Sequence, residues 1–272
     1  MSSAGAGTGT GPPGPEPRPP ELRPPELRPP EPRRFRQRIP RPPAARRPAV
    51  ARARFVEVAT RLGPDELAAR LGRADLLERA FGPIVGGGLP GAGAPSAAAA
   101  RTGAAVLLPV IGGRSPDDPA RLVLIRRATH LRANPGEIAF AGGRLEPGES
   151  PRQAALREAE EELLLERHHV RVLGSLPTVF RRSRAEGIEP FVATVEGVVR
   201  LVPSPGEVDD VLVLALGDLA RPERYFEEEW PMPGGGRRMM HFFELESDIL
   251  WGASAAILTL LLDRLAVAAG GP

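Results

Sequence analysis

Proline dominates the first fifty residues of this chain and excludes a packed core there. A pentapeptide, Pro-Pro-Glu-Leu-Arg, occurs at Pro19–Arg23 and again at Pro24–Arg28. A decayed copy, Pro-Pro-Glu-Pro-Arg, comes next at Pro29–Arg33. Proline fixes φ and lacks an N–H, so such a run supports neither helix nor strand ladder. Apolar residues are sparse before Val50. Residues 1–50 therefore read as a disordered Pro/Arg-rich tail. It is either a solvated extension or a contact arm for a protein or an anionic surface.

The charge is split along the chain. Residues 1–54 carry 12 Arg and 4 Glu, so the net charge of +2 leaves −6 on the remainder. An acidic remainder gives no nucleic-acid footprint. Cysteine is absent, which excludes disulfides, thiolate metal sites and cysteine nucleophiles. Lysine is also absent, which excludes a phosphate-loop lysine and Schiff-base chemistry. No run approaches the ~18 apolar residues of a membrane span, and no apolar secretory stretch opens the chain. A cytoplasmic location is the expectation.

Residues 51–103 form a lead-in. Phe55, Val58, Leu62, Leu67, Leu71, Leu76 and Leu77 recur near helical spacing. Gly63-Pro64 breaks that run, and Asp65 is positioned to cap the helical segment after the break. Residues 85–103 are rich in Gly and Ala and read as a flexible connector. From Ala104 the texture changes. Ala104–Ile111, Arg121–Ile125, Glu137–Ala141, Val170–Phe180, Glu189–Val199, Val211–Ala215 and Met239–Glu246 read as strands. Ser150–Leu165 and Ile249–Ala269 read as helices. Strands with helices inserted between them predict a mixed sheet covered by helices, an α/β (α+β) fold.

The stretch from Gly142 to Glu162 carries the chemistry. Gly142, Gly143 and Gly148 permit a loop with unusual backbone angles and close ligand approach. Ser150 suits an N-cap, Pro151 suits the first helical position, and Gln153 completes a capping box. Along the helix beginning there, Ala155, Leu156, Ala159 and Leu163 share a buried arc. Glu158, Glu161 and Glu162 share a neighbouring one. Carboxylates at such spacings repel unless cations sit between them. Hard divalent cations take oxygen ligands of this kind together with substrate phosphates. Arg157 stands four residues before Glu161 and can steady it, while Glu160 points away and is read as solvated.

This pattern resembles the Nudix box. Gly143, Glu149, Arg157, Glu158, Glu161, Glu162 and Leu165 stand at that family's spacing. Ala159 is smaller than the family's aliphatic residue. Leu164 stands where the family has a helix-ending Gly, so the helix either runs on toward Arg167 or ends in a strained turn. The resemblance implies a Nudix-type α/β/α sandwich with a mixed β-sheet over residues 104–269. It implies Mg²⁺ or Mn²⁺ held by Glu158, Glu161 and Glu162, with the Gly142 carbonyl assisting and Glu149 organising the metal shell or the water. The family often draws its general base from outside the box; Glu207 is the candidate and Glu189 the reserve.

Residues before the box narrow the resemblance to the CoA-diphosphatase branch. Arg132, Gly136 and Phe140-Ala141-Gly142-Gly143 stand in register with that branch's signature, while Ile125, Ala128 and Ala141 replace its Thr, Ser and Pro. Pro177-Thr178, Pro205-Gly206-Glu207-Val208 and Trp251-Gly252 extend the similarity. It implies hydrolysis of CoA or acyl-CoA to 3′,5′-ADP and (acyl-)4′-phosphopantetheine. Arg132 would clamp a phosphate. Gly136, Phe140, Gly142 and Gly143 would line the substrate site, and Glu149, Arg157, Glu162 and Glu207 would serve catalysis. Two alternatives stay open: another nucleoside diphosphate derivative (ADP-ribose, NADH or a dNTP) as substrate, or a non-catalytic binding module. The histidines, His130 included, show no ligand spacing.

Overall fold

The architecture follows from where apolar side chains alternate. In this computed structural model, residues 39–48, 51, 53–81, 102–115, 117–180, 187–232 and 234–270 are described. Most of the predicted tail and of the 85–103 connector lies outside them. In chain order the elements begin with helices α1 (Arg54–Leu62), α2 (Pro64–Leu71) and α3 (Ala74–Phe81). Strands β1 (Thr102–Ile111), β2 (Arg121–Arg127), β3 (Ile138–Ala139) and β4 (Gly142–Arg144) precede helix α4 (Pro151–Leu163). Then come β5 (Val170–Ser175), β6 (Val179–Phe180), β7 (Gly187–Val195), β8 (Val208–Ala215), the short helix α5 (Leu216–Leu219), β9 (Tyr225–Pro231), β10 (Arg237–Glu244), β11 (Ile249–Trp251) and α6 (Gly252–Ala268).

Eight strands form one mixed sheet, with β3-β2-β1-β7-β5 as its spine. β4 pairs with β1, β6 with β7, and β8 with β2. The β1–β7 pair is parallel and the others are antiparallel. Successive strand residues face opposite sides. On β2, Val123 and Ile125 pack with Ala154, Ala155, Ala159 and Leu163 of α4. Leu122 and Leu124 pack on the other side with α1, α2, α3 and α6. The sheet is thus buried between α4 and a helical layer, as the α/β/α expectation requires.

A second sheet, β9-β10-β11, carries three antiparallel strands. β9 is an addition to the expected strands and carries Glu227, Glu228 and Glu229. Alternation separates the three. Glu227 accepts the Tyr225 hydroxyl at 2.6 Å toward the core. Glu228 accepts Trp230 Nε1 at 2.9 Å on the outer face.

Residues 39–48, assigned to the tail by composition, lie along β9. Arg46 and Glu229 exchange backbone hydrogen bonds of 3.1 and 2.7 Å. Arg41 and Arg47 both reach the buried Glu228 carboxylate, at 2.5 and 3.5 Å. Ile39 and Ala45 cover Trp230, Met240 and Phe242.

Other boundaries shift for local reasons. The 54–82 helical region divides into three helices, and Gly63, not Asp65, occupies the N-cap of α2. The C-terminal helix starts at Gly252, after a strand over Ile249–Trp251. Gly252 takes φ 67, a left-handed turn that glycine alone makes without strain. The strand predicted at Glu137–Ala141 shortens to β3, which pairs with β2, and a separate β4 follows it and pairs with β1.

Candidate active site

The site is built where β4 meets α4. Gly142 and Gly143 pair with Val106 and Ala105 of β1. A side chain at Gly142 would sit 2.4 Å from the Ala105 carbonyl oxygen, and one at Gly143 would sit 2.1 Å from the Glu158 carboxylate and push it aside. The chain then leaves through Gly148 into the helix start. There the predicted capping box is present: the Gln153 N–H donates to Ser150 Oγ, and the Ser150 N–H donates to Gln153 Oε1 at 3.0 Å. Pro151 occupies the first turn.

The helix ends as one of the two expected alternatives, a strained turn. Leu164 adopts φ 52 and ψ 31 and does not extend the helix. The loop after β7 then satisfies the freed carbonyls. The Val202 N–H donates to Leu163 O at 2.9 Å, and the Ser204 N–H donates to Glu162 O at 3.0 Å. Docking that loop delivers Glu207.

Glu158, Glu162 and Glu207 converge, each offering an oxygen within 4.8 Å of the others. Glu161 does not belong to this trio. Positions 158 and 162 lie about 40° apart around the helix, while 161 falls about 60° on the other side of 158. Its side chain is 56% exposed and pairs with Arg157 Nη1 at 2.9 Å. Glu207 joins from a separate loop, a place that its sequence position marks only as that of a candidate base.

Burial dominates the electrostatics. Glu162 is 1% exposed, and that burial pushes its carboxyl up to about 8. The Gly142 N–H, donating at 2.8 Å, opposes the rise, as does Arg127, whose Nη1 lies 3.7 Å away. The charges of Glu158 and Glu207 add to it. Glu158 is raised by burial as well, against the pull of Arg157.

Arg157 is the hub of the outer ring. It donates to both oxygens of Glu149 at 3.0 and 3.1 Å, to Glu158 at 3.1 Å, to Glu161, and to the Arg144 carbonyl at 3.1 Å. The Glu149 carboxyl is held below its ordinary range, first by Arg157 and then by the Glu146 N–H. Glu149 is thus linked to Glu158 through Arg157.

The remaining expected residues divide. Arg132 is exposed on the loop 128–137. Gly136 closes that loop by donating its N–H to Arg127 O at 3.1 Å. Phe140 is 3% exposed and packs in the helical-side core. Glu189 pairs in register with Ala105, on the α4 side of the sheet, outside the trio. His130 is exposed. Glu160 pairs with Arg167 at 3.0 Å on the surface.

Arg127 is the site residue that motif reading misses. Its position on β2, two residues beyond Ile125, places it on the α4 face. Among the described residues its buried Nε has no hydrogen-bond partner. Period-two counting from Val123 would have found it.

Three carboxylates crowded into a half-buried space suit a hard divalent cation, which takes oxygen donors and offsets their repulsion. Comparison with known proteins agrees with this chemistry. A family profile described as NUDIX domain matches residues 101–233. An uncharacterised Nudix hydrolase, NudL, of Yersinia enterocolitica is 33% identical over 162 residues, spanning 59% of this chain and 80% of that one. NudL of Yersinia pestis is 32% identical over 165 residues, spanning 60% and 80%. A crystal structure of the Nudix hydrolase RenU from M. smegmatis aligns at 24% identity with a TM-score of 0.38, over 44% of this chain and 74% of that one. The matched span includes β4, α4 and the loop of Glu207, and with a relative aligned over four-fifths of its length the chain belongs to the Nudix hydrolase family.

Proposed function

We propose that this hydrolase cleaves the diphosphate bond of coenzyme A or an acyl-CoA in the cytoplasm, giving 3′,5′-ADP and (acyl-)4′-phosphopantetheine. Nudix membership supports the broader statement, hydrolysis of a nucleoside diphosphate derivative. The convergence of Glu158, Glu162 and Glu207 carries the reading. Glu158 and Glu162, with Glu207 or the outer Glu161, would hold Mg²⁺ or Mn²⁺, with the Gly142 carbonyl assisting. When bound, such an ion neutralises the diphosphate and acidifies a water.

The chain's own residues do the rest. Arg157 ties Glu149, Glu158 and Glu161 together, so the carboxylates are set before substrate arrives. The Gly142 N–H fixes the inward oxygen of Glu162. Glu207, on an exposed loop, is the candidate to accept a proton from the attacking water. Arg127 and Arg132 are the candidate phosphate contacts, since a guanidinium pairs well with phosphate oxygens.

The substitutions in the CoA-branch signature lie in the core. Ile125, Ala128 and Ala141, which replace the signature Thr, Ser and Pro, are all buried to within 1%. Their replacement is a change of core packing.

The test offers purified protein CoA, acyl-CoAs, NADH, ADP-ribose and dNTPs with Mg²⁺ or Mn²⁺, read by mass spectrometry. Release of phosphopantetheine that stops with chelator is expected. Turnover of ADP-ribose without CoA would assign another substrate. Binding of nucleotide without any turnover would favour a non-catalytic module.

A further inference from the structure

The last two residues of β2 face opposite ways, and each meets an acid. Arg127 turns to the α4 side, with Nη1 3.7 Å from Glu162. Arg126 turns to the other side and is gripped by Asp248, Nη1 to Oδ1 at 3.0 Å and Nη2 to Oδ2 at 2.6 Å. Both partners are largely dry: the Asp248 side chain is 3% exposed and that of Arg126 is 16%.

Asp248 belongs to the second sheet. It sits in the turn between β10 and β11, closed by the Leu245 N–H donating to Asp248 O at 2.8 Å. Ser247 Oγ donates to its Oδ2 at 3.1 Å. The carboxylate is therefore aimed by its own turn. A buried ion pair gains little net stability, because desolvation offsets attraction. What a two-point guanidinium–carboxylate pair does supply is fixed geometry.

The geometry fixed here is the root of the loop 128–137. Arg126 pairs in register with Ile138 across β3, so both ends of the loop meet at this residue. The Ala128 N–H donates to Glu207 O at 2.8 Å, and the Thr129 N–H donates to Asp209 Oδ2 at 3.0 Å. The same loop base thus touches the segment carrying Glu207. Its tip carries Arg132.

We propose that Asp248 is a positioning residue for substrate binding: by holding Arg126 at two points it anchors the loop 128–137 and aims Arg127 and Arg132 at the substrate phosphates. The second sheet is then a brace for the substrate side of the site. The kinetic arm of this inference rests on the diphosphatase reading; the structural arm does not.

The experiment compares the full chain with Asp248→Asn, which keeps the shape and loses the charge, and with Asp248→Glu as the conservative variant. For whichever diphosphate the parent protein cleaves, Asp248→Asn is expected to raise KM about tenfold, with kcat within about threefold. Asp248→Glu recovers part of the loss. Mn²⁺ affinity, measured by titration without substrate, stays at the parent value. Hydrogen exchange speeds up across residues 128–137 and is unchanged in α4. Unchanged KM together with unchanged exchange in that loop overturns the proposal. So does an equal fall of kcat, Mn²⁺ affinity and melting temperature, which marks a general structural role. If the parent protein cleaves no diphosphate, the functional reading fails on its own, and the exchange result still decides whether Asp248 anchors the loop.

Discussion

The carboxylate of Asp263, on the C-terminal helix, accepts the backbone N–H of Phe55 at 2.8 Å across 208 residues of sequence. Helix α1 has no side-chain cap of its own at Ala53, so Asp263 caps it from another element. Burial pushes this carboxyl up to about 6, against the Phe55 and Arg54 N–H groups and the Arg54 charge, while the charge of Glu227 raises it further. A carboxyl raised in the folded state binds its proton more tightly there than in the unfolded chain. Its contribution is thus complete below about pH 4 and is lost as pH rises through about 6. The size is about 1–3 kcal/mol. Asp263→Asn keeps an acceptor for Phe55 and removes the titration. Its unfolding free energy should vary less between pH 4 and 6 than that of the parent, as urea titrations at several pH values would record; parallel curves would refute the assignment.

Replacing Glu162 by Gln should separate activity from stability. Gln retains an acceptor for the Gly142 N–H but cannot supply a charged ligand. Diphosphatase activity should fall at least ~100-fold, the scale of losing a directly engaged catalytic group. In chelator the variant should melt no lower than the parent, because burial already disfavours the charged form of this carboxyl and Gln is neutral at every pH. A variant that loses stability in step with activity would contradict this account.

Leu164→Gly should stabilise the fold by about 1 kcal/mol. The residue takes a left-handed conformation and is 58% exposed, so glycine relieves strain and gives up little burial. Urea unfolding measures the difference. Activity should be unchanged, since Leu164 lies beyond the last carboxylate of α4.

Removing both Arg41 and Arg47 should leave Glu228 buried without its cationic neighbours. The arginines are partly exposed, so the penalty is set at about 1–3 kcal/mol rather than the larger cost of a fully buried pair. Adding Glu228→Gln to the double variant should recover most of it, because the orphaned charge is then gone. Thermal melts of the parent, double and triple variants supply the comparison, and a triple variant weaker than the double one would count against the ion-pair account.

Sequence alone determined the features whose causes are local. The start of α4 was legible because Ser150, Pro151 and Gln153 satisfy the helix's first N–H groups among themselves. Its buried face was legible because helical spacing puts Ala155, Ala159 and Leu163 on one side. The Nudix spacing from Gly143 to Leu165 named the family for the same reason: those residues act together within one loop and one helix.

Tertiary structure decided whatever depends on partners far along the chain. Glu161 and Glu162 look equivalent in sequence, yet only Glu162 lies against β4 and shares the pocket with Glu207. Glu207 became part of the trio because its loop caps the end of α4, a contact between surfaces rather than neighbours. Phe140 went to the core because β3 and β4 separate at that point. β9 stayed hidden because Glu227 and Glu228 can be buried only if Tyr225, Arg41 and Trp230 arrive to meet them. A charge read along the chain carries no record of the partner that will fold against it, and burial, which sets both its cost and its chemistry, is a property of the assembled layers.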